Sequence, residues 1–84
     1  MSHFWADGIP IKVQVDEQAS PRVLLWQGKR HGVQQVAKRW RVDQDWWHQH
    51  VWREYFKVVT RSGLLLIIYR DILSGQWYLQ RLYN

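Results

Sequence analysis

The chain has 84 residues, 46% of them hydrophobic, and carries 12 Lys/Arg against 7 Asp/Glu for a net charge of +5. That length holds one domain and no second core, and the lack of cysteine excludes disulfides, thiolate nucleophiles and cysteine-ligated zinc or iron–sulfur sites. The positive balance favours an anionic partner (nucleic acid, an acidic protein or a membrane surface), although a charge of this size also serves solubility alone.

Residues 1–8 read as a loose lead-in without the basic region and long apolar stretch of a signal peptide. Pro10 then opens an alternating segment, Ile11-Lys12-Val13-Gln14-Val15, whose apolar residues fall on one face at period two, the mark of a half-buried strand. A turn over residues 18–21 leads to a second strand, Arg22-Val23-Leu24-Leu25-Trp26, and Gln27-Gly28 is a tight reversal. Residues 33–42 fit two patterns. Val33, Val36, Ala37 and Trp40 have helical spacing, whereas Val36, Trp40 and Val42 share one face of a strand; Gly32 is a weak helix cap, and the reading adopted is a long, bulged strand.

Residues 52–60 are rich in β-branched and aromatic side chains, and Arg61-Ser62-Gly63 makes a short hairpin loop. Residues 64–69, apolar on both faces, predict a central strand covered on each side, and they are too few to span a bilayer. Leu73-Ser74-Gly75 marks a turn before a last strand over residues 77–83. The expected fold is therefore all-β, a small antiparallel meander sheet or open barrel of about five or six strands. The expected protein is soluble and cytoplasmic, with no membrane contact.

Seven tryptophans are present, four of them between Trp40 and Trp52. Asp45, Trp46, Trp47 and Trp52 form the candidate partner-binding group, because adjacent side chains of an extended segment point to opposite faces and one ring of the Trp46–Trp47 pair tends to face outward. A homodimer burying its excess aromatics against itself is the alternative to a monomer with a free surface. Basic and aromatic residues also interleave. Arg53, Tyr55, Lys57 and Arg61 share one face of their strand, with Lys38, Arg39 and Arg41 on the preceding segment, a composition that suits single-stranded nucleic acid. The competing reading is a solvated sheet face whose Lys and Arg stems cover aromatic rings.

Catalytic and metal chemistry find little support. The serines (Ser2, Ser20, Ser62 and Ser74) lie near the terminus or in turns, and Asp43 and Asp45 read as solvated rather than as a desolvated acid–base pair. His48 and His50, with Asp45 or His31, lack a fixed third ligand. No enzyme activity, metal or cofactor is expected. For Arg70 and Asp71, anion contact by the arginine competes with an ion pair and with capping of the following turn by Asp71.

One resemblance bears on function. The series Trp40-Arg41, Asp45-Trp46-Trp47, Arg53-Glu54-Tyr55, Gly63-Leu64, Tyr69-Arg70-Asp71, Ser74-Gly75-Gln76-Trp77-Tyr78 and Leu82-Tyr83-Asn84 resembles the C-terminal segment of ImuB-like proteins. Those are Y-family DNA polymerase relatives of bacterial damage-induced mutagenesis. It also resembles short stand-alone bacterial proteins of unknown function. The resemblance covers residues 40–84 and implies a small tail domain that accompanies translesion synthesis and docks a protein of the DNA damage-tolerance machinery. It carries over neither polymerase activity nor clamp binding, because the chain has no palm carboxylates and no recognisable clamp-binding peptide.

Overall fold

A computed structural model describes residues 2–46 and 49–83. Six strands follow one another as an antiparallel meander: β1 (His3–Val15), β2 (Pro21–Trp26), β3 (Lys29–Trp46), β4 (Gln49–Thr60), β5 (Leu65–Asp71) and β6 (Trp77–Tyr83). The all-β expectation holds, and residues 33–42 are strand. Their bulges lie where the pairing shifts between Val33 and Gln35 and between Val36 and Lys38, which explains why strand and helical spacings overlap there.

The sheet closes on itself because β1 and β3 each serve two neighbours. The first part of β1 pairs with β6 and the last part with β2. β3 pairs with β2 over Lys29 to Gly32 and with β4 from Val33 onward. A five-stranded layer and a three-stranded layer thus share their corner strands. Gln27 (φ 53°) and Gly28 (φ 73°) make the tight β2–β3 reversal, with both residues left-handed as the twist of a two-residue hairpin requires.

The N-terminal segment differs from expectation. Rather than a loose lead-in, it is strand from His3, held by β6 through the pairs His3–Leu82 and Phe4–Arg81. The pairing shifts between Phe4 and Ile9, and Gly8 takes φ +76° there, so the period-two pattern that reveals a strand is broken.

Two register rows lie on the inner face, their middle members buried and their ends at Arg39 and His3 exposed. One runs Arg39–Phe56–Ile68–Leu79–Ile9 and the other Val36–Val58–Leu66–Leu82–His3. Phe56, Val58, Leu66, Ile68 and Leu79 are buried, and Leu24 packs against them from β2. As its composition predicts, β5 is central between β4 and β6, with Leu66 and Ile68 inward and Tyr69 buried on the opposite face. Among the described residues no helix is long and apolar enough to cross a membrane.

Candidate interaction surfaces

Beyond the body of the sheet, β3 and β4 continue as a two-stranded ribbon. Asp43 pairs with Trp52, Gln44 with Val51, Asp45 with His50 and Trp46 with Gln49, while β5 pairs with β4 only from Arg53 onward. His50 pins this ribbon. Its Nδ1 lies 2.7 Å from Asp45 Oδ1 and its Nε2 2.9 Å from Asp43 Oδ1, a geometry that the doubly protonated ring satisfies at both nitrogens. The Asp45 hydrogen bond, opposed by partial desolvation and joined by the Asp43 charge, raises the His50 pKa above the usual histidine value. Trp52 packs edge-on against the imidazole at 6.2 Å.

At the root of the ribbon, the inward row Arg41–Glu54–Arg70–Trp77–Ile11 places a carboxylate between cations. Glu54 is only 3% exposed, and its Oε2 accepts a 2.9 Å hydrogen bond from Arg39 Nε. Arg41 and Arg70 each approach the carboxylate to 3.6 Å. Desolvation pushes the Glu54 pKa up, but the Arg39 hydrogen bond and the three guanidinium charges outweigh it and hold the group below the ordinary glutamate value.

The outer face of the five-stranded layer is organised by an aromatic ladder. Trp40, Tyr55, Tyr69 and Tyr78 are successive register partners on β3, β4, β5 and β6. Their ring centroids are separated by 5.3, 5.2 and 5.0 Å along the row. Each contact of this kind adds about 0.5–1.5 kcal/mol beyond simple burial. Tyr69 also donates a 2.9 Å hydrogen bond to the Asp7 carbonyl, and burial raises its hydroxyl above the usual tyrosine pKa. Gly8 permits this approach, since a Cβ there would lie 2.7 Å from Tyr78 Cβ and 2.9 Å from Tyr69 Oη. Cations surround the ladder. Arg53 lies 4.4 Å from the Tyr69 ring and donates to Tyr55 Oη at 3.2 Å, and Lys38 lies 5.3 Å from the Trp40 ring. A second row, Lys38–Lys57–Ile67–Arg81–Phe4, runs alongside.

A family model described as a domain of unknown function, DUF6504, matches residues 1–84. The chain belongs to the DUF6504 family. No curated protein and no solved structure matches it.

This DUF6504 fold divides the candidate basic-aromatic group. Lys38, Arg53, Tyr55 and Lys57 lie together on the outer face, but Tyr55 is only 8% exposed and serves the ladder rather than an open stacking surface. Arg39 and Arg41 project to the inner side, onto Glu54. Arg61 sits apart in the β4–β5 loop, where its side chain borders Gly32 and its backbone N–H donates to the Gly32 carbonyl at 2.8 Å. Phe4, Arg81 and Tyr83 join the outer face from β1 and β6. Arg81 and Tyr83 reach this face across the shifted pairing in β6, and Phe4 by pairing with Arg81, so no local pattern in the sequence marks them.

Of the partner-binding group, Asp45 and Trp52 lie on the ribbon, Trp46 ends β3, and Trp47 lies outside the described residues, as does His48. His31 packs near Trp26, away from the ribbon, and among the described residues no group of three or more potential ligands is placed to hold a metal ion. Arg70 faces Glu54, and Asp71 Oδ1 accepts the Leu73 N–H at 3.0 Å, so this dipeptide makes an ion pair and caps a turn.

Proposed function

We propose that the chain is a non-catalytic, cytoplasmic interaction module that docks a protein partner through the β3–β4 ribbon. The observation that supports this reading is the ribbon's one-sided pairing. The Trp52 carbonyl still accepts the Ile72 N–H at 2.9 Å, but the three register pairs beyond it have no third strand beside them among the described residues, and Trp52 is left half-buried next to the exposed Asp43, Asp45 and His50. The described part of the ribbon sets the Trp52 ring beside the charged Asp43, Asp45 and His50, an apolar group within a polar rim, which is the composition of an interface. The resemblance of residues 40–84 to the tail of ImuB-like proteins favours a partner in the bacterial translesion-synthesis machinery. A non-catalytic role is supported by how the carboxylates are spent. Asp16 and Asp71 cap turns, and Glu54 neutralises arginines.

The test is co-purification of translesion-polymerase components with the wild-type chain and with Trp47→Ala. The variant is expected to unfold cooperatively at the wild-type midpoint while losing those components. Retention of them by Trp47→Ala and Trp52→Ala alike, or their absence with wild type, rejects the reading.

A further inference from the structure

We infer that the outer face of the five-stranded layer binds single-stranded nucleic acid, with Lys38, Lys57 and Arg81 on phosphates and Trp40, Tyr83 and Phe4 offering rings to bases. This surface is separate from the ribbon tip and does not depend on the docking reading.

The register carries the argument. Lys38, Lys57, Ile67, Arg81 and Phe4 are successive partners on five strands, so three cations occupy one straight row. With strands about 4.8 Å apart, Lys38 and Arg81 stand roughly 14 Å from each other across the sheet. Rings alternate with these charges. Lys57 Nζ lies 5.5 Å from the Tyr83 ring, and the Arg81 guanidinium lies 4.9 Å from Phe4 and 5.5 Å from Tyr83. Phe4 is 56% exposed, a large apolar ring left beside positive charge.

None of the three cations lies within 4.0 Å of a carboxylate among the described residues, in contrast to Arg39, Arg41 and Arg70 on the inner side. The acid on the register rows of this face, Asp71, is occupied by backbone N–H groups of its own turn. An acidic protein would answer the charges but leave the rings unused, and a duplex would answer the charges while hiding its bases. An unpaired strand offers phosphates and base faces together. Tyr55 and Tyr69, both buried, act as the scaffold that fixes the row beneath the ligand.

Fluorescence anisotropy with a labelled oligothymidylate at several salt concentrations tests the inference. Three phosphate contacts predict a log–log slope of about −2 for the wild type. Lys38→Gln combined with Lys57→Gln, which keeps much of each apolar stem, should weaken binding and flatten the slope to about −0.7. Phe4→Ala should lower affinity about five-fold or more without changing the slope. A duplex of the same length should bind more weakly than the single strand. Absence of binding at low salt, an unchanged slope in the folded double lysine variant, or equal affinity for duplex would overturn the inference.

Discussion

At the scale of single residues, the chain uses polar groups to lock aromatic ones in place. Tyr69 is the clearest case, since its ring lies between Tyr55 and Tyr78 while its hydroxyl reaches across to Asp7. Tyr69→Phe keeps the rings and removes the hydrogen bond, so it should cost about 0.5–1.5 kcal/mol, read from the urea midpoint at unchanged slope. The β4 alternation of basic and aromatic residues was visible in the sequence, because period two needs only local information. Which cations join it was not. Arg39 and Arg41 fall on the opposite face from Lys38, and Arg81 and Phe4 arrive by strand pairing across four and five strands.

Among the elements, the ribbon couples its register to protonation. His50 is the direct partner of Asp45 and the diagonal neighbour of Asp43. Because its folded pKa is raised, the stabilisation is fully present below the ordinary histidine pKa and is lost as pH rises through the raised value. Amide exchange at Val51 and Gln44 should therefore accelerate on passing from mildly acid to mildly alkaline pH beyond the intrinsic base catalysis of exchange. His50→Gln should abolish that excess. Strand positions with uninterrupted alternation, such as β4, were legible from residue pattern alone, and β2 and β6 from their β-branched and aromatic content between turns despite a shifted pairing in each. β1 was not, because Gly8 and the shifted pairing beside it interrupt its pattern, and residues 33–42 were ambiguous for the same reason at their two bulges.

For the whole molecule, closure depends on a short element. β2 has six residues, yet it alone joins the last part of β1 to the start of β3, and its Leu24 is 1% exposed within the core. Leu24→Ala should cost about 2–5 kcal/mol. Thermal unfolding followed by near- and far-ultraviolet circular dichroism should remain one coincident transition. Two separated transitions would mean that the three-stranded layer melts independently. The meander order followed from short loops between strands, but the ring did not, since pairing of the first strand with the last leaves no local signature.

That pairing also sets how the domain can be carried by other polypeptides. His3 and Leu82 face each other on adjacent antiparallel strands, so their Cα atoms are separated by only about 5 Å. A host chain can enter at one and leave at the other within a surface loop, hardly spreading its own backbone. By the same geometry, a short linker between residues 2 and 83 would permit new ends at Gln27–Gly28, giving a circular permutant that retains the original strand neighbours.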